Sequence, residues 1–181
     1  RFYKLPSGKL VESVTTRIGN ASDKTALMEW RKKVGEVEAQ KISTQAASRG
    51  TAIHNICERY LHNDIAFPEN SMPVNIETFK TIRPILDRRI GTIFAIEAPL
   101  WSETLNTAGR TDCIAQFDGV NSIIDFKTSR KPKKEEWIES YFLQSTCYSL
   151  MAEERTSLKV PQIAIIIAVD HDEPQVFVKN R

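Results

Sequence analysis

The sequence predicts a single domain of the α/β (α+β) class over 1–181, with helices and strands interleaved along the chain. Three observations predict it. The runs Thr111-Asp112-Cys113-Ile114-Ala115-Gln116-Phe117 and Ser122-Ile123-Ile124-Asp125-Phe126-Lys127 are β-rich and flank Asp118-Gly119, a strong hairpin signal. Glu36 to His62 reads as one long helix. Ile163 to Ile167 is an unbroken apolar run, the mark of an interior strand. A chain of 181 residues suits one well-packed domain and is too short for two large ones. Its 41% hydrophobic and 27% charged content is that of a soluble globular protein. No apolar run approaches the roughly 18 residues that a membrane-spanning helix needs.

From the start of the chain, Arg1 to Val14 reads as a small hairpin around Pro6-Ser7-Gly8. The hydroxyls of Ser13-Val14-Thr15-Thr16 can cap a helix or touch a phosphate, capping being the commoner use. Ser22-Asp23 opens a helix through Thr25 to about Lys33, with Leu27, Trp30 and Val34 at helical spacing and Trp30 expected in the core. In the long helix, Ala46, Ala47, Gly50, Ile53, Ile56, Cys57, Tyr60 and Leu61 trace a small-and-apolar face. Gly50 costs about 1 kcal/mol relative to Ala in a helix interior, so it is expected to permit the close approach of another group. His54 follows one turn later and shares a face with Glu58. Asp64 to Pro73, with Pro68 and Asn70, reads as a loop. Ile76 to about Ile90 reads as a helix with the stripe Phe79, Ile82, Leu86 and Ile90, kinked or split at Pro84.

Thr92 to Trp101 is a strand, in which Glu97 is either a further acidic group at a site or a sheet-edge charge. Beyond the hairpin, Thr128-Ser129-Arg130-Lys131-Pro132 is a loop, and Lys133 to about Glu154 is a helix. Trp137, Tyr141, Gln144, Tyr148 and Met151 recur along it at three- and four-residue steps, so Gln144 and Tyr148 share a face. A buried Gln there needs partners, which points to a site or an interface. Gln162 to Val169 and Gln175 to Val178 close the chain as two strands.

The chemistry gathers in the hairpin. Side chains alternate across a strand, so Asp125 and Lys127 share one face while Phe126 points to the other. If the pairing lays Asp112 beside Asp125, two carboxylates converge with an ammonium next to them. Like charges so close repel unless a cation sits between them, and hard oxygen ligands suit Mg²⁺ or Mn²⁺. Aspartates near strand ends are also common as turn formers and surface charges, so this D…DxK pattern draws its weight from its flanks. The net charge is only +2, yet Arg130, Lys131, Lys133 and Lys134 form a basic cluster directly after it. Cys57, Cys113 and Cys147 are isolated, which argues for a reducing compartment and against a disulfide framework, a zinc site or an iron–sulfur site. There is no Gly-rich phosphate loop, HExxH or nucleophile elbow. The chain opens on Arg1 without a methionine and closes straight after a β-rich segment, so it reads as an excised core truncated at both ends.

Four motifs in order carry a resemblance: Gly50-Thr51-Ala52-Ile53-His54, Gly109-Arg110-Thr111-Asp112, Asp125-Phe126-Lys127-Thr128, and Gln144 with Tyr148. Together they resemble RecB-like nucleases of the PD-(D/E)xK superfamily. More narrowly, Glu103-Thr104-Leu105-Asn106 leading to Asp112-Cys113, and Ile124 to Ser129 with Lys131-Pro132-Lys133, resemble the branch of mitochondrial genome maintenance exonucleases and their phage and bacterial relatives. Ser13-Val14-Thr15 fits the same pattern, so the likeness covers almost the whole chain. Thr111 stands where the superfamily name has proline, and Asp125 where glutamate is commoner. The four cysteines that mark iron–sulfur members are absent, so no iron–sulfur cluster is expected.

The resemblance implies a restriction-endonuclease-like core, a central mixed β-sheet flanked by α-helices with the His54 and Gln144 helices packed on it. It implies that His54, Asp112, Asp125 and the backbone carbonyl of Phe126 bind one or two Mg²⁺ or Mn²⁺ ions. Lys127 would position or activate the attacking water and stabilise charge on the scissile phosphate, while Gln144 and Tyr148 orient the site and the strand. Arg110, Thr128, Ser129, Arg130 and Lys131 are expected on the substrate, tracking phosphates with little sequence preference. Tyr141 or Trp137 are the candidates for stacking on bases. The implied activity is a metal-dependent DNA exonuclease acting on single-stranded DNA ends or flap DNA in replication, repair or recombination. It is expected inside the cell, in the mitochondrial matrix of a eukaryote or the host cytoplasm for a bacterium or phage, with no membrane partner. The alternatives are a structure-selective endonuclease on the same scaffold and a nucleic-acid-binding module that has lost activity. Against the last, His54, Asp112, Asp125 and Lys127 are all present.

Overall fold

The Asp118-Gly119 turn closes its hairpin with both residues at positive φ, 52° and 80°, the primed-turn geometry that matches the twist of the flanking strands. The computed structural model describes residues 1–64 and 71–181; the loop expected around Pro68 and Asn70 lies outside the described residues. In chain order the elements are β1 (Phe2–Lys4), β2 (Leu10–Ser13), α1 (Val14–Ala21), α2 (Thr25–Val34), α3 (Glu36–Leu61), α4 (Pro73–Arg89), β3 (Ile90–Ser102), β4 (Thr107–Phe117), β5 (Val120–Ser129), α5 (Glu139–Arg155), β6 (Gln162–Val169) and β7 (Gln175–Asn180). The strands form one seven-stranded sheet in the order β1-β2-β4-β5-β6-β7, with β3 also on β4. The β2–β4 and β5–β6 pairs are parallel and the others antiparallel. This is the mixed sheet flanked by helices that the resemblance implies.

Alternation along the strands decides which residues meet which helices. Cys113, Ala115 and Phe117 of β4, with Ile124 and Phe126 of β5, bury against Ile53 and Cys57 of α3 and Phe79 and Ile82 of α4. The opposite parity, Ile114 and Ile123, meets Tyr148 and Met151 of α5. Ile163, Ile165 and Ile167 of β6 pack beside them with Ile138 and Phe142. Every residue of β6 is buried, as a strand covered on both faces must be.

One feature of the sheet opens a fork along β4. β3 takes one edge of β4 along its whole length, from Ile90↔Phe117 to Ser102↔Thr107. On the other edge β5 pairs only from Cys113 to Phe117, and β2 pairs only at Thr107 and Ala108. Gly109 to Asp112 therefore lie in a fork where β4 has lost one partner and not yet met the next.

Several expectations need correction. Trp30 is half-buried and α2 has no buried residue, because that helix packs on α3 and not on the sheet. Ala46 and Ala47 are exposed, and the buried face of α3 is Ala39, Ile53, Ile56, Cys57 and Leu61. α4 starts at Pro73, where a missing N–H goes unnoticed, and runs unbroken through Pro84. The helix expected from Lys133 begins at Glu139, after a 3₁₀ turn at Glu135–Trp137. Ser13 does cap a helix: its Oγ accepts from Thr16 N–H at 3.1 Å and starts α1.

Candidate active site

Register builds the site. The β4–β5 ladder runs up to Cys113↔Ile124, so the next residue on each strand, Asp112 and Asp125, stand level at the fork. On the other side of β4, the pairs Ile96↔Cys113 and Ala98↔Thr111 bracket Glu97 and Asp112. Glu97, Asp112 and Asp125 thus form a row of carboxylates across three neighbouring strands, whose spacing is about 5 Å. Glu97 holds φ 49°, a left-handed backbone that residues other than glycine adopt at a cost.

His54 reaches the row from α3, its Nδ1 lying 3.3 Å from Asp112 Oδ1. The second Asp112 oxygen accepts from Phe126 N–H at 2.8 Å, filling the place of a ladder bond that the diverging strands no longer make. Among the described residues, His54, Glu97 and Asp112 bring ligand atoms within 4.8 Å of one another. Asp125 adjoins this trio without joining it. Its carboxylate is buried, and its Oδ2 is paired with the Lys127 ammonium. Lys127 lies 5.2 Å from the centre of the Tyr141 ring, which shields its charge from water.

The electrostatics carry the mark of crowded negative charge. Burial lifts the Glu97 carboxyl above its ordinary range, and the charges of Asp112 and Glu58 lift it further. Burial likewise raises Asp125, despite Lys127 beside it. At Asp112 burial also pushes upward, but contact with His54 and the charge of Lys127 outweigh it and hold the carboxyl low. Burial works against the charged forms of His54 and Lys127, yet the neighbouring carboxylates win and both are raised.

α5 braces the fork from the other face. Gln144 Nε2 donates to the Tyr148 hydroxyl at 3.5 Å. Burial pushes the Tyr148 phenol up to about 12, so it is neutral at any working pH. A Cβ on Gly109 would lie 2.7 Å from the Tyr148 ring, so this glycine is what admits the ring to the strand. At Gly50, by contrast, a Cβ would meet only Thr128 Oγ1 at 3.9 Å, an ordinary contact. The close approach expected at Gly50 is therefore found at Gly109.

A cleft of about 720 Å³ opens over His54, Glu97 and Asp112, with Gly50, Tyr3 and Arg110 in its walls. Arg110 is largely exposed and reaches Glu97 at 3.5 Å. Lys131 is exposed, and Thr128 is half-buried beside Gly50. Ser129 is buried, and its hydroxyl donates to the Lys131 carbonyl at 2.7 Å, so it braces the loop and does not face the cleft as expected. Arg130 donates to Gln45 at 3.3 Å. Glu97, open in the sequence between a site acid and a sheet-edge charge, lies at the site, and Tyr3 joins it without having been expected there. Glu97 emerges only through the long-range register of β3, and Tyr3 only through the parallel β2–β4 pairing; neither leaves a local signal.

The donor set fits a divalent cation. It combines imidazole nitrogen with carboxylate oxygens, and the charge of Asp112 lifts the neighbouring Glu97 carboxyl. No family model matches the chain. Over 125 residues it is 27% identical to human mitochondrial genome maintenance exonuclease 1, a match that covers 66% of this chain and 34% of that protein. The chain thus spans about a third of the length of the curated relative it matches. Among solved structures, a candidate exonuclease from Eubacterium rectale superposes with TM-score 0.45 and 15% identity, covering 74% of this chain and 59% of that one. The match to the human protein bears out the likeness to PD-(D/E)xK exonucleases drawn from the motifs. Among the described residues, no helix is long and apolar enough to cross a membrane.

Proposed function

We propose that this chain, alike in sequence to exonucleases of the PD-(D/E)xK type, is a divalent-metal-dependent DNA exonuclease acting on single-stranded ends or flaps. The observation that carries the reading is the row Glu97, Asp112 and Asp125 with His54 on one side and Lys127 on the other. His54, Glu97 and Asp112 would hold the ion, with Asp125 and the Phe126 carbonyl at its border. Mg²⁺ or Mn²⁺ bound there supplies a water of lowered pKa and polarises the phosphoryl oxygens.

The chain's own groups divide the remaining work. Lys127 places a fixed positive charge where negative charge grows on the scissile phosphate, and Asp125 keeps that ammonium in position. The neutral Tyr148 phenol, held by Gln144, fixes the floor of the fork. Arg110, exposed at the cleft mouth, suits capture of a flanking phosphate, as does Lys131 in the loop after β5. Contacts of this kind read no sequence, which fits a degradative enzyme in replication, repair or recombination inside the cell.

The test is end-labelled single-stranded DNA with Mg²⁺ or Mn²⁺. Stepwise shortening is expected, at least a hundredfold slower in Asp112→Asn and Lys127→Ala, with circular single-stranded DNA left intact. Shortening unaffected by both substitutions overturns the assignment, and cleavage of the circle makes the enzyme an endonuclease.

A further inference from the structure

We propose that the apolar pocket adjoining the cleft is a base subsite, receiving the nucleobase next to the scissile phosphate; this rests on the nuclease reading above. The pocket holds about 380 Å³, and Tyr3, Pro6, Pro99, Trp101, Ala108 and Gly109 are among its walls. Tyr3, Pro99 and Gly109 also wall the cleft over His54 and Asp112, so the two compartments share a partition. A nucleotide has this shape: a charged phosphate and a flat apolar heterocycle held a few bonds apart. The volume lies at the small end of ligand pockets, about 300–1,000 Å³, which suits one ring system.

The fold explains why the depression exists and why it is firm. The β1–β2 hairpin pairs with β4 in the ladder at two positions, Glu12↔Thr107 and Ser13↔Ala108. Leu5, Val11 and Ala108 form a small core beneath, with Tyr3 and Trp101 packed against it. The Trp101 ring is held by the Arg155 guanidinium, 5.0 Å from its centre, and the Tyr3 hydroxyl accepts from Arg1 at 3.4 Å. Both aromatic walls are therefore placed before any ligand arrives, which lowers the ordering cost of binding. The one charged residue in the wall is Lys4, exposed at the rim, where a phosphate of the same strand would pass. Stacking on such a surface tolerates every base, in keeping with phosphate contacts that read no sequence.

The experiment follows digestion of a single-stranded oligonucleotide carrying one internal abasic residue. The unaltered chain should pause at the single step that brings the abasic residue to the pocket, slowing about tenfold there. Trp101→Ala should raise KM on ordinary DNA about tenfold and digest the abasic strand without that pause, while Trp101→Phe keeps both wild-type features. In EDTA, fluorescence anisotropy should show Trp101→Ala binding ordinary strand about tenfold more weakly. Should Trp101→Ala not fold, Tyr3→Ala tests the facing wall, and the pause in the unaltered chain needs no variant. Ordinary digestion with no pause overturns the subsite alone. A chain that neither binds nor cuts DNA overturns the nuclease reading and the subsite with it.

Discussion

Glu97 pairs a left-handed backbone with a carboxylate crowded by Asp112, so both its main chain and its side chain work against the folded state. Residues other than glycine lose roughly 1 kcal/mol in that conformation. Glu97→Gly is therefore expected to leave the thermal midpoint unchanged or higher, while Mn²⁺ affinity measured by calorimetry falls at least tenfold. Glu97→Gln should lose the same affinity without relief of the backbone. A clear drop in the midpoint of Glu97→Gly would show that the conformation is not strained. Gly109 makes the opposite case, since here a side chain is what cannot be accommodated. Gly109→Ala drives a methyl into the Tyr148 ring and should cost about 1–3 kcal/mol in denaturant unfolding. In a Tyr148→Ala background the cost should largely vanish, and equal costs in both backgrounds would dismiss the contact. These residues also mark how far the sequence could be read. Asp112 and Asp125 face each other across a two-residue turn, so local chemistry set their register. Glu97 reaches Asp112 only through a β3–β4 pairing with register shifts between Ile90 and Ala95, which no local pattern encodes.

Whole elements were legible where their own turns and periodicity decided them. The hairpin, the long α3 and the buried β6 follow directly from Asp118-Gly119, from helical spacing and from the isoleucine run. α2 forms where its spacing predicts, but it packs on α3 and not on the sheet, so spacing alone could not place Trp30. The delayed start of α5 has a tertiary cause as well. Gln175 accepts from Lys133 N–H at 2.6 Å and donates to the Lys133 carbonyl at 2.9 Å, taking the backbone groups that a helix there would use. The hairpin turn carries a testable pH dependence. Arg89 donates to Asp118 at 2.6 Å, and this hydrogen bond keeps the Asp118 carboxyl below its ordinary 3.8. A depressed carboxyl contributes stability that is full above the unfolded value and is lost as pH falls through the folded one. Asp118→Asn keeps a residue that tolerates the left-handed turn, so it removes the charge alone. It should cost about 0.5 kcal/mol at neutral pH, the scale of a solvent-screened pair. The gap to wild type should close as the pH is taken below 3.8. A gap that persists in acid would assign the loss to the turn and not to the charge.

At the scale of the molecule, the site lies where β4 exchanges one partner for another, so it joins α3, the central hairpin and the N-terminal hairpin at one point. The parallel β2–β4 pairing that completes the fork is the part of the fold least visible in sequence, because its two strands are far apart in the chain and meet over only two residue pairs. A junction lined with like charges should be the weakest point of the protein without an ion and a strong one with it. An ion that binds only the folded chain stabilises it by RT ln(1 + [L]/Kd), about 2.7 kcal/mol at a hundredfold excess over Kd. For a chain of this size that is roughly 5–11 °C in Tm. Calorimetric scans with millimolar Mn²⁺ should show such a rise. Glu97→Gln should melt higher than wild type in EDTA, since the charge that burial, Asp112 and Glu58 oppose is gone, and should respond less to the ion. Lys127→Ala should do the reverse. It strands the buried Asp125 charge, at a cost of about 3–5 kcal/mol in EDTA. It should then recover more from Mn²⁺ than wild type does, because the ion replaces the missing ammonium. Opposite signs from a carboxylate and an ammonium of one fork are hard to obtain unless a cation belongs there, whereas three chains that melt alike with and without Mn²⁺ would mean that it does not.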